Sequence, residues 1–120
     1  MIERWIEEIK VQCPPSELGM IVVHNGIVRA TNRKGEPVAG MELSYDRVEL
    51  EKLLTHFRAR EGIVAVKAWI NEGVLPVGAD IMKVCLAGRF RTDVLPALEE
   101  LVGLIKTKIV REKEITNVGR

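Results

Sequence analysis

The sequence predicts an α+β domain with a largely antiparallel sheet and helices packed on one face. Two observations carry that reading: runs with helical spacing of apolar residues occur singly, and β-branched runs arrive in pairs between them. With 120 residues and no repeat, low-complexity tract or linker, residues 1–120 form one domain, long enough for one core and too short for two.

The opening run MIERWIEEIKV places Ile2, Trp5, Ile6 and Ile9 at i, i+3, i+4 and i+7, so it predicts an amphipathic helix that Pro14 and Pro15 stop. From Gly19, GMIVVHNGIVRAT is too β-branched for a good helix and predicts a strand, bent or bulged near Asn25 and Gly26. NRKGEPVAG is a loop of turn formers. GMELSYD then alternates Met41, Leu43 and Tyr45 with Glu42 and Ser44, as a half-buried strand does. The two strands suggest a hairpin with an exposed, mobile, basic tip at Arg33 and Lys34.

Asp46 and Glu49 stand ahead of Leu50, Leu53, Leu54 and Phe57, a capping arrangement that predicts a helix over 46–60, ended by Gly62. IVAVKAWI and DIMKVCLAG read as strands joined by a loop, NEGVLPVG. Asp93 can cap a last helix with Pro96 in its first turn and Val94, Leu98, Leu101 and Ile105 as its buried stripe. A polar, extended tail comes last.

Composition narrows the function. A net charge of +1 gives no global field for nucleic acid, so a basic site has to be local. No apolar run approaches the roughly 20 residues that span a bilayer. Cys13 and Cys85 lack metal or redox spacing and read as small buried hydrophobes; with no signal-peptide pattern, a reduced, cytoplasmic setting is expected. His24 and His56 are solitary and have no metal-ligand spacing: His56 reads as a surface residue, and His24 as either a satisfied core histidine or a catalyst.

The cations are the better lead. In LIKTKIVREK, Lys106 and Lys113 are seven residues apart and share a stripe with Val102 and Ile109 if helix continues. A lysine among apolar side chains is partly desolvated, which lowers its pKa and suits acid–base work. Lysines at a helix C-terminus also simply meet the dipole and solvent, and spacing leaves both readings open. Arg29, inside GIVRAT, is either an outward edge residue or an anion ligand with a planar fork for phosphate or carboxylate, and Arg91 stands just before the last helix.

Taken in order, GIVR (26–29), GVLPVGAD (73–80), GRFR (88–91) and IKTKIVREK (105–113) resemble the motifs of the large, catalytic subunit of molybdopterin synthase. The resemblance covers roughly residues 18–115. It implies an α/β hammerhead fold and a sulfurtransferase without cofactor or metal. Such an enzyme moves sulfur from the thiocarboxylated C-terminal Gly-Gly of a small ubiquitin-like carrier onto cyclic pyranopterin monophosphate, making molybdopterin. It implies a homodimer within a heterotetramer, its sites near the dimer interface, and no nucleic-acid or membrane partner. By position, Arg29 and Arg91 would grip phosphate and pterin, with Ile27, Val28, Phe90 and His24 also binding substrate. Lys106 would be the main catalytic lysine and Lys113 its assistant.

The chain also departs from the family pattern. Phe90 replaces the histidine of a His-Arg pair, and His24 stands where an aromatic is usual, an exchange of places if the two positions face each other. Val110-Arg111-Glu112-Lys113 replaces Pro-x-Trp-Lys, and Ile70-Asn71 replaces an earlier His-Arg. A non-catalytic homologue that binds a carrier tail or a phosphorylated small molecule is the alternative these departures leave.

Overall fold

β5 (Asp80–Gly88) is the central strand of the larger core, and it is apolar on both faces. Successive side chains of a strand point to opposite sides. On one side Met82, Val84 and Leu86 enter the main core; on the other Cys85 and Ala87 form a smaller core with Ile9. Burial among apolar groups pushes the Cys85 thiol up, against the pull of Lys67, which leaves it inert.

β5 is the middle of a three-stranded antiparallel sheet, flanked by β1 (Met20–Ile27) and β3 (Ile63–Ile70). A second antiparallel sheet has the order β4 (Gly73–Pro76), β2 (Gly40–Tyr45), β6 (Val110–Ile115). The helices are α1 (Ile2–Gln12), α2 (Arg47–Arg58) and α3 (Arg91–Leu104), and α3 runs into a π turn over Ile105–Ile109. This computed structural model describes residues 1–116, so the end of the expected tail, 117–120, lies outside the described residues.

The α+β class with antiparallel sheets stands as predicted, and the helix placement is refined. Residues of α2 and α3 share the main core, whereas α1 packs on the opposite side of β5 through Ile9. The two-sided apolarity of β5 is the reason, since a one-sided arrangement would leave Cys85 and Ala87 in water. Lys67 of β3 donates to Glu8 of α1 at 2.6 Å across that second face.

Four local expectations change. The bulge at Gly26/Ile27 is present, but β1 and β2 are not partners along their length. Only the tip of the expected hairpin closes, by a bridge between Thr31 and Pro37, after which the two strands diverge into different sheets. Part of NEGVLPVG is strand β4, because Val74 and Leu75 pair with β2. α3 begins at Arg91 with Phe90 as N-cap, so Asp93 does not cap it and Pro96 falls in the second turn. Asp93 is instead drawn to Arg89, whose Nε donates to it at 3.3 Å.

The helix over 47–58 matches its capping signal: the Asp46 carboxylate accepts from the Glu49 N–H at 3.0 Å. Of the stripe read on α3, Leu98 is only partly buried against the main core, while Val94, Leu101 and Ile105 are fully excluded from water and Ala97 takes the excluded place beside them. Each of the three larger side chains contributes about 1.5–3 kcal/mol by burial. Among the described residues, no helix is long and apolar enough to cross a membrane.

Glycine chemistry gives a test. A methyl group on Gly88 would collide with the Gly62 carbonyl and with Val94, whereas one on Gly103, inside α3, meets open space. Gly88→Ala should lose about 2 kcal/mol or more by overpacking, and Gly103→Ala should gain about 0.5–1 kcal/mol from helix propensity. Urea midpoints of the two variants check both signs.

Candidate functional site

α3 begins beside the first residues of β1 and runs back along the sheet. Gly88, three residues before α3, pairs with Met20, and buried Ile105 beyond the other end shares the core with Val84, whose partner on β1 is His24. Lys106 is therefore delivered to the His24 end of β1. Its exposure follows from its neighbour: with Ile105 held in the core, the next residue turns outward.

The turn that carries Lys106 is wider than an α-helix. Ile105–Ile109 adopts the π form, with the Thr107 hydroxyl donating to the Gly103 carbonyl at 2.9 Å. Single π turns of this kind re-aim side chains and recur at functional sites. The Ile109 carbonyl accepts from the Asp46 N–H at 3.1 Å, which ties the end of the turn to the start of α2. Val110 then pairs with Tyr45 and the chain is a strand.

That switch separates the two lysines. Lys113 lies on β6 opposite Glu42 and does not share a helical stripe with Lys106. β-branched Ile109 and Val110 are both buried, and pairing with β2 satisfies the backbone that a continued helix would have left exposed. Lys113 borders a shallow groove with Glu42, Ser44, Gly73, Val74 and Arg111.

His24 is half-buried on the α3 side of β1, its Nε2 lying over Gly26. Desolvation lowers its pKa, and the positive charge of Lys106 lowers it further. Both effects favour the neutral form of the ring.

Arg29 comes just after the bulge and is exposed, with Nη2 3.5 Å from the Thr31 hydroxyl. Val28 is buried and held on both sides by the turn over 78–79: its N–H donates to Ala79 and its carbonyl accepts from Gly78, each at 2.9 Å. Ile27 is exposed. Thus the GIVR and GVLPVGAD motifs meet in one place, and the glycine at φ +90°, Gly78, makes the turn between them.

Phe90 and Arg91 are both exposed at the opposite end of α3. At about 1.5 Å of rise per residue, Arg91 and Lys106 stand roughly 22 Å apart along the helix axis. One chain therefore gathers Lys106 with His24 but not with Arg91, and Phe90 does not face His24 within the chain. A single copy therefore does not gather Arg29, Arg91, Lys106 and Lys113 into one place.

Sequence reading missed a polar cluster on the other face of the sheet. Asn25 donates to Asp80 at 3.0 Å, and Lys83 lies 3.5 Å from Asp80 and 5.7 Å from the Trp69 ring centroid. The Asn25 hydrogen bond, aided by Lys83, holds the Asp80 carboxyl below its ordinary value. Asn25 and Asp80 are 55 positions apart, so no local pattern could have joined them.

Comparison with known proteins places this arrangement. A search among curated proteins finds no match. Among solved structures, a molybdopterin synthase from Staphylococcus aureus has 21% identity and a TM-score of 0.72, over 95% of this chain and 85% of that one. A molybdopterin biosynthesis MoaE protein from Burkholderia ambifaria has 20% identity and a TM-score of 0.74, over 98% and 85%. A complex of subunits 1 and 2 of molybdopterin-converting factor from Helicobacter pylori has 18% identity and a TM-score of 0.73, over 99% and 82%. At these identities the likeness is one of fold. The profile of the MoaE protein family matches residues 2–108, which includes every motif up to the π turn, and the chain belongs to that family.

Proposed function

We propose that this protein is the catalytic subunit of a molybdopterin synthase. It would transfer sulfur from the thiocarboxylated C-terminal Gly-Gly of a small carrier subunit to cyclic pyranopterin monophosphate. The observation that carries the reading is the placement of Lys106: exposed on a π turn, backed by fully buried Ile105, and beside an imidazole whose neutral form is favoured. Family membership and the solved complex of two subunits from Helicobacter pylori support a small-subunit partner.

The chemistry asks for cations in a defined place. Donor and acceptor are both anions, and moving sulfur develops further negative charge on the acyl oxygen and on the departing sulfur. Lys106 would stabilise that charge. Arg29, with its planar fork, would hold the substrate phosphate, while the exposed Ile27 beside it would offer apolar contact to the pterin. Val28, being buried, would act by fixing this stretch of backbone. Lys113, on β6, would meet the carrier tail or the substrate from the second sheet.

Arg91 and Phe90 fit only as contributions from a second copy. The roughly 22 Å along α3 cannot be closed within the chain without unravelling its buried stripe. A two-fold dimer resolves this, since each copy then lends its α3 N-terminus to the other's Lys106. The assembly expected is a dimer of this chain flanked by two carrier subunits.

Lys106→Ala should lower sulfur transfer by about 10²-fold or more, as removal of one charge-stabilising donor does, with thermal stability unchanged because the side chain is exposed. Molybdopterin formed per thiocarboxylated carrier, with a melting curve, checks it. A Lys106→Ala variant that still turns over at the wild-type rate contradicts the reading, and carrier binding without turnover in the unmodified protein favours a non-catalytic homologue. Arg91→Ala and Lys106→Ala proteins should each be inactive alone. When the two are unfolded, mixed and refolded together, half of the sites in a mixed dimer regain both residues, so roughly a quarter of wild-type activity should return. No return of activity removes Arg91 of a second copy from the site.

A further inference from the structure

We infer that His24 is the general base of this site and that Lys106 is its matched partner: a neutral imidazole accepting a proton beside an ammonium that holds developing negative charge. The inference rests on the sulfur-transfer reading and assigns to one side chain a step that the cations cannot perform. Lysine and arginine in their charged forms can donate but not accept.

Several features converge on His24. It points from β1 toward α3, at the end where the π turn presents Lys106. Its same-face neighbours on β1 are Val22 and Gly26, and its partner across the ladder is Val84, so no carboxylate on these strands faces the ring. Gly26 leaves room over its own backbone, where the imidazole Nε2 lies. No side chain among the described residues hydrogen-bonds to the ring, so its lone pair is free for a ligand or water. Among the described residues, Lys106 is the one charged group that acts on it. A buried structural histidine would be hydrogen-bonded on at least one nitrogen; this one is half-exposed and unengaged.

Environments that push neighbouring titratable groups toward opposite protonation states assign acid and base. Here burial and the ammonium both favour the neutral imidazole. The step that needs it comes from the proposed chemistry. Once the thiocarboxylate sulfur has bonded to a pterin carbon, displacing an oxygen substituent that leaves with its electron pair, the acyl carbon to sulfur bond must be cleaved by water. The O–H bond of water breaks and its proton passes to the His24 imidazole. The water oxygen bonds to the acyl carbon, and the carbon–sulfur bond breaks with its electron pair on sulfur. Lys106 stabilises the oxyanion formed on the way. The carrier leaves as a carboxylic acid that ionises to a carboxylate, its proton and the one on His24 both passing to solvent, and the sulfur stays on the pterin as a thiolate. No oxidant or reductant is consumed.

Two measurements test the pair. In histidine-labelled protein, NMR titration of His24, assigned by its absence in His24→Phe, should give a pKa below the ordinary 6.5. In Lys106→Gln the value should rise, because the cation that disfavours imidazolium is gone, and it should stay below 6.5 because burial remains. An unmoved His24 resonance in Lys106→Gln overturns the pairing. In the assembled synthase with its thiocarboxylated carrier, His24→Phe keeps a ring and His24→Gln keeps polarity, yet neither can titrate. Both should lose turnover by about 10²-fold or more with KM for the pterin little changed and melting temperatures close to wild type. Wild-type turnover in the folded His24→Gln protein overturns the assignment. The titration decides the pairing whether or not sulfur is transferred, so a failure of the pair and a failure of the sulfur-transfer reading are told apart.

Discussion

The packing of α3 against β5 is the constraint on which the rest of the molecule depends. Val94, Ala97, Leu101 and Ile105 are all excluded from water on one side of the helix, and Val84 and Leu86 are excluded beneath them. That stripe sets the rotation of the helix and the depth at which it ends. Ile105 is the last residue of the stripe, so its burial decides where Lys106 stands. Shifting the helix by one residue would put a lysine into the core, which the desolvation of an unpaired ammonium forbids.

Beyond Ile105 the second sheet governs the path of the chain. The π turn ends with its last carbonyl bound to the Asp46 N–H, the same residue whose carboxylate caps α2. One residue thus joins the end of the lysine turn to the start of a helix whose Leu50, Leu54 and Phe57 are buried in the same core. Lys106 is exposed, yet the backbone beneath it is anchored at both ends. The combination is a side chain reachable from solvent on a backbone that does not drift.

Charge is distributed in a way that net charge conceals. With +1 overall, the chain still carries exposed Lys106 just beyond one end of α3 and exposed Arg91 at the other. Many of the remaining charges are paired at the surface, as in Arg60 with Glu100 and Arg47 with Glu72. Such exposed pairs contribute little stability. Lys106 and Arg91 make no such pair among the described residues and stand as separate positive positions near the two ends of α3.

Local rules were enough wherever the deciding contacts were local. The Asp46 and Glu49 cap, the alternation of Met41, Leu43 and Tyr45, the bulge after Gly26, the stripe on α3 and the ordered motifs that resemble the MoaE family are all written within a few residues of one another. The candidate residues were equally legible as residue types in order. Their arrangement was not. The sequence could not show that β1 and β2 part into different sheets, that α1 crosses to the far face of β5, or that Gly73–Pro76 is a strand, because each depends on partners dozens of positions away. Nor could a seven-residue spacing reveal that Lys106 and Lys113 lie on different elements: helical periodicity is a local signal, and pairing with β2 overrides it once Ile109 and Val110 are buried. By itself the sequence determined most of the elements, the resemblance to the family and the residue types that are candidates for a site. Only the tertiary structure decided which of them meet, since hydrophobic burial on both faces of one strand, not spacing along the chain, brings Lys106 to His24 and keeps Arg91 away.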